Sequence, residues 1–137
     1  MKYILFSLLL LFLASCAVAQ PGPTYSIKSK KAIKLFEAGI KTPGETLDPQ
    51  TGEMNFRGGL KLINDAIEKE PKFWEAHLAA GEFCEYLQKY EEAIEHYKSA
   101  LVINPEHSPS GSTFFYLGNL QQAVGDYGGA VRNLDIY

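Results

Sequence analysis

The sequence predicts an all-α fold, an α-solenoid of three stacked helix pairs. Two observations carry this. The first is an internal period: Gly59-Leu60, Ile63 and Ala66 before Pro71 return 34 residues later as Ala93-Ile94, Tyr97 and Ala100 before Pro105. Small residues where helices touch, with proline where they end, mark a repeated helix pair. The second is apolar spacing in steps of three and four, as in Ala32, Leu35, Phe36 and Ile40, which is helical rather than extended spacing.

The chain has 137 residues, enough for one small domain, and a net charge of −3. No basic patch points to nucleic acid and no acidic tail is present. An imbalance this small implies no partner by itself.

Residues 1–19 read as a secretory signal peptide. Lys2 supplies a positive start, and Ile4 to Leu13 is apolar but for Ser7. That stretch is too short to span a bilayer, which takes roughly 20 residues. Two processing signals overlap behind it. Ala17-Val18-Ala19 before Gln20 suits ordinary cleavage, whereas Leu13-Ala14-Ser15-Cys16 (residues 13–16) resembles the bacterial lipobox, in which Cys16 is lipidated. Both readings export the chain, to the periplasm or to a lipid-anchored place at the outer membrane of a bacterium. Cys16 and Cys84 are the two cysteines, so a disulfide framework is excluded, and Cys84 in a helical pattern reads as a buried small hydrophobe.

Residues 20–26, with Pro21, Gly22 and Pro23, read as an extended tether. Ile27 to Ile40 is the first helix. Its lysines 28, 30, 31 and 34 form a solvated face, or one that meets an anionic membrane surface near the tether. Residues 41–54 break the pattern with Thr42-Pro43-Gly44, Asp48-Pro49 and Thr51-Gly52, and read as an inserted loop. Asp48, Thr51 and Glu53 lack the spacing of a calcium loop. Asn55 to Lys69, Phe73 to Leu87 and Tyr90 to Ile103 are the next helices. Residues 107–112 are a Pro/Ser/Gly connection. Thr113 to Val124 and Tyr127 to Tyr137 form the last pair around a Gly125-Asp126 turn.

These residues resemble the tetratricopeptide repeat family. Residues 74–107 make the clearest unit: Gly81, Ala93, Tyr97, Ala100 and Pro105 fill the family's small, small, large apolar, small and proline positions. Residues 111–137 give a third, with Leu117-Gly118, Gly125-Asp126-Tyr127, Ala130 and Leu134. Residues 27–71 give a divergent first repeat that keeps Gly59, Ala66 and Pro71 but departs in its first helix. The resemblance implies a right-handed solenoid that holds other proteins and does no chemistry. The third repeat stops about one turn short of a full helix, so the sequence is expected to be a fragment or to precede another domain. The lipobox-like start, the phrase from Ser29 to Phe36 and the inserted first repeat also look like the N-terminal region of Bacteroidetes OmpA-family lipoproteins that carry a PD40 propeller, some associated with type IX secretion.

Little else suggests catalysis or a cofactor. His77, His96 and His107 form no His-Glu-x-x-His motif. His77 reads as a core histidine, and His96 as an exposed partner of Glu92 one turn away. Gly58-Gly59 and Gly128-Gly129 read as equivalent close-packing pairs. Glu82, Glu85, Glu91, Glu92 and Glu95 read as a solvated helix face rather than an acid/base pair. Carried over from the family, the inner groove would comprise Glu75, Leu78, Glu82, Glu85 and Tyr86 of the second repeat and Ser112, Phe115, Asn119, Gln122 and Ala123 of the third. That strip suits an apolar, partly basic polypeptide. It does not suit carboxylate clamping, because Leu78 and Glu82 stand where lysine and asparagine would be needed and Asn119 alone matches. The expected function is a non-enzymatic scaffold of the cell envelope with a protein or peptide partner. The open alternatives are a docking arm of an envelope enzyme and a soluble periplasmic peptide carrier.

Overall fold

A computed structural model describes residues 23–106 and 110–135. The signal peptide, the lipobox with Cys16, the start of the tether, His107 and Tyr137 lie outside the described residues. Within them are six helices: α1 (Lys30–Glu45), α2 (Phe56–Lys69), α3 (Trp74–Tyr86), α4 (Tyr90–Ile103), α5 (Ser110–Ala123) and α6 (Tyr127–Leu134). Each packs chiefly against its neighbours in sequence, and contact is more extensive within the pairs α1–α2, α3–α4 and α5–α6 than between them. The fold is therefore an all-α solenoid, whose stability comes from neighbour-to-neighbour stacking.

One packing rule recurs in all three pairs. A glycine in the first helix lies under a large side chain of the second. A β-carbon at Gly39 would stand 2.7 Å from Ile63, one at Gly81 2.8 Å from Tyr97, and one at Gly118 2.7 Å from Leu134. Ala66, Ala93, Ala100 and Ala130 are buried beside them. Gly59 serves the next interface, where a β-carbon would come within 2.6 Å of the Phe83 ring. Absence of a side chain at these points lets the backbones approach. Pro71 and Pro105 are exposed. They act as helix terminators just past the C-caps Glu70 and Asn104 rather than as members of the packed layer.

Local chemistry sets the helix ends. Ser29, Asn55 and Asp126 are N-caps whose side-chain oxygens accept from the backbone N–H of Ala32, Gly58 and Gly129. The α3–α4 and α5–α6 turns share one geometry. Lys89 N–H donates to the Cys84 carbonyl at 2.8 Å and Asp126 N–H to that of Gln121 at 2.8 Å. The residue before each is left-handed, Gln88 with φ 58° and Gly125 with φ 83°.

The first repeat departs from expectation. Its first helix starts at Lys30, because Ser29 caps there, and runs on through Pro43 and Gly44 to Glu45. Proline is tolerated this late because the chain regains bonding at once: Thr46 donates its N–H and its hydroxyl to the Thr42 carbonyl at 3.0 and 3.1 Å. The inserted loop is correspondingly shorter, residues 46–55. It is closed by a Leu47–Met54 bridge and by Asp48, whose carboxylate accepts from the N–H groups of Gln50 and Thr51 and from Arg57. Those bonds hold the Asp48 carboxyl below its ordinary range, the Gln50 N–H foremost. Helix α5 begins at Ser110, three residues before the expected Thr113. Its serine and glycine start is a weak helix former, which is why the apolar spacing from Thr113 onward is the stronger signal.

The tether also differs. Tyr25 and Ser26 dock on the repeats. The Tyr25 ring packs edge-on against Phe36 and Phe73, with centroids 5.5 and 5.7 Å away, and its hydroxyl donates to Glu37 at 3.2 Å. Ser26 donates its N–H and its hydroxyl to Glu75 at 2.7 and 2.6 Å. The tether composition is loop-like, but one aromatic ring finds two partners and brings the neighbouring serine to a carboxylate.

Candidate functional site: a tyrosine-walled acidic pocket

Helix α3 presents Glu82, Glu85 and Tyr86 three and four residues apart, which places them on one side of the helix. With Tyr97 of α4 and Tyr116 of α5 they line a pocket of about 540 Å³. Packing against Gly81 fixes Tyr97 between the helices. Its hydroxyl donates to Glu85. Tyr116 lies nearly parallel to Tyr97, with centroids 6.3 Å apart and planes 19° apart. The Tyr86 ring stacks flat on Phe56 at 4.3 Å and 11°, yet Tyr86 remains 68% exposed.

Charge in the pocket is one-sided. The ion pairs of the described residues join Arg57 to Asp48, Lys89 to Glu92 and Lys98 to Glu95, and none reaches Glu82 or Glu85. Burial, and then the neighbouring charge of Glu85, raise the proton affinity of Glu82. Burial and then the bond to Glu85 push the Tyr97 phenol far above its ordinary range.

The structure redistributes the groove residues expected from sequence. Glu82, Glu85 and Tyr86 come together. Glu75, two turns earlier on α3, is held by Ser26 instead. Leu78 packs against the core. Phe115 contacts Tyr116 edge-on at 5.9 Å. Asn119 and Gln122 are exposed on α5 and do not line the pocket among the described residues. Sequence reasoning placed Tyr97 in the packing layer alone and passed over Tyr116. The available signal was that Tyr97 carries a hydroxyl, which a purely apolar site would not require.

Two further expectations change. His96 is half-buried and faces His77, with the two Nδ1 atoms 3.4 Å apart, instead of pairing with Glu92 on the surface. His77 is buried and its Nε2 meets the Pro71 carbonyl at 3.1 Å. Pro71 can only accept, so His77 carries its hydrogen on Nε2, and its Nδ1 accepts from His96. The glycine pairs are also out of register. Gly58 and Gly129 are the equivalent ones, each bonded to its N-cap side chain, while Gly128 sits in open space but for Arg132. Cys84 is a free, fully buried thiol that burial pushes up to about 11. It stays protonated at neutral pH.

Among the described residues, no group of three or more His, Cys, Asp or Glu is placed to hold a metal ion. Among the same residues, no helix is long and apolar enough to cross a membrane.

This stacked-pair solenoid with a lined pocket defines a helical-repeat protein. Residues 74–107, which carry helices α3 and α4, match the family model described as the tetratricopeptide repeat. A chain of the solved structure described as the CopN-Scc3 complex is similar over 85% of this chain, with a TM-score of 0.66 and 11% identity. At that identity the likeness concerns the fold. This chain spans 65% of that chain's length. No curated protein matches the sequence.

Proposed function

We propose that the protein is a non-enzymatic interaction scaffold of the bacterial cell envelope. It would be exported by residues 1–19 and either lipidated at Cys16 or cleaved after Ala19, and it would organise a periplasmic or outer-membrane assembly. The observation that carries the scaffold reading is the pocket itself. Its wall is built from three successive helices of a tetratricopeptide unit and the next pair. Repeat stacking of this kind produces an extended recognition surface rather than a reaction centre. The envelope assignment rests on the apolar leader and the lipobox-like Leu13-Ala14-Ser15-Cys16. The resemblance to OmpA-family lipoproteins suggests secretion or peptidoglycan attachment as the setting.

A photo-crosslinking amino acid at Phe115, beside the pocket, tests the scaffold. The same group at Val102, which is 81% exposed on α4 and outside the pocket lining, is the control. In the native envelope the first position should trap a defined protein partner and the second should not. Equal trapping at both, or none at Phe115, would count against the reading. The mass of the mature N-terminus decides between lipid at Cys16 and a start at Gln20.

A further inference from the structure

We propose that the tyrosine-walled pocket receives the guanidinium of an arginine carried on an extended segment of the partner polypeptide. This deepens the scaffold reading and rests on it.

Three observations support the choice of ligand. First, Glu82 and Glu85 line one cavity, and no lysine, arginine or histidine of the described residues pairs with either. Two neighbouring carboxylates without a counter-charge are mutually unfavourable, and an arriving cation relieves that. Second, the cavity walls are flat rings. Tyr116, 46% exposed, lies within 19° of parallel with the buried Tyr97, and Tyr86, 68% exposed, is backed by Phe56 on one face, so Tyr86 and Tyr116 offer the open ring faces. A planar guanidinium stacks on such rings while its N–H groups reach carboxylate oxygens. A compact ammonium or a metal cation uses the charges but not the planes. Third, the same stripe of α3 already accepts backbone and side-chain donors of a non-helical segment, because Ser26 donates two hydrogen bonds to Glu75. Glu75 and Glu82 are two helical turns apart, about 10 Å along the axis. An extended chain covers that distance in about three residues. A partner strand lying beside the docked N-terminal segment would therefore set an arginine over the pocket.

The test uses the full-length chain in non-denaturing detergent and N-acetyl-arginine methylamide as the probe, read by the NMR signals of the tyrosine rings. The expected result is saturable shifts of Tyr86, Tyr97 and Tyr116. The citrulline analogue, equal in shape but uncharged, should bind at least tenfold more weakly, and the lysine analogue several-fold more weakly. Glu82→Gln should weaken arginine binding at least fivefold. If that variant does not fold by circular dichroism, Tyr116→Leu at the outer wall takes its place with the same expectation. No saturable shift, equal binding of the citrulline or lysine analogue, or unchanged affinity in the folded variant would overturn the proposal. Partner trapping from Phe115 together with a failed probe would remove the arginine assignment and leave the scaffold. A bound probe with no trapped partner would keep the cation pocket and remove the scaffold.

Discussion

The carbonyl oxygen of Gly39 lies against Gly59, 2.7 Å from the place a β-carbon on Gly59 would occupy. Pro43, four residues after Gly39, has no N–H to bind that oxygen. The backbones of the first pair therefore meet closely where α1 lacks one bond of its own hydrogen-bond ladder.

Gly59→Ala should destabilise the fold. Its β-carbon would meet both the Gly39 carbonyl and the Phe83 ring, at 2.7 and 2.6 Å, and neither is a flexible chain end. Alanine gains roughly 1 kcal/mol of helix propensity, but overpacking costs about 1–3 kcal/mol. The expected net loss is up to about 2 kcal/mol in urea unfolding. Gly44→Ala, with nothing within 4 Å, should instead be neutral or stabilising by up to ~1 kcal/mol.

Gln88→Gly should stabilise. Gln88 holds φ 58°, whereas the equivalent turn of the next pair uses Gly125. A left-handed residue with a side chain costs roughly 1–2 kcal/mol, and part of the gain is offset by the freedom glycine adds to the unfolded chain. A net rise of about 0.5–1 kcal/mol in denaturant unfolding is expected.

Tyr97→Phe should destabilise by roughly 1–2 kcal/mol while keeping the ring in place, because it removes a hydrogen bond to a charged acceptor. An unchanged melting temperature would mean that solvent replaces the Tyr97–Glu85 bond at no cost.

Stability should fall as acid is added below about pH 6.5, the unfolded histidine value. Burial holds His77 below its ordinary range, opposed by Pro71. Burial and then His77 hold His96 below, opposed by Glu92 and Glu95. A depressed histidine binds fewer protons folded than unfolded. Its contribution is thus present above the unfolded pKa and lost as pH drops through the folded one. Glu82, whose affinity is raised, works in the opposite sense at lower pH. Melting curves of the wild type and of His77→Gln with His96→Gln separate the two: the double variant should lose most of the slope that sets in below about pH 6.5.

The repeat was legible because its information is local. Gly81–Tyr97 and Gly118–Leu134 are both 16 residues apart, so the rule could be read by counting. Gly39–Ile63 obeys the same rule in space but is 24 residues apart, since the loop between α1 and α2 adds eight. The count fails there although the packing is identical, and the first helix accordingly looked divergent. In the pocket, Glu82, Glu85 and Tyr86 were visible as neighbours on one helix, while Tyr97 and Tyr116 join from two others.

Local spacing settled the helix pairs, their order and the tight contacts of the second and third pairs, because steric size and proline act over one or two turns and repeat with a period. The docking of Tyr25 and Ser26 on Phe36, Phe73 and Glu75, the facing of His77 and His96, and the closing of Tyr97 and Tyr116 around two carboxylates were decided by the tertiary structure alone. Those contacts join residues with no shared periodicity, and their energies exist only once the stacked helices have brought the groups within reach and removed the water between them.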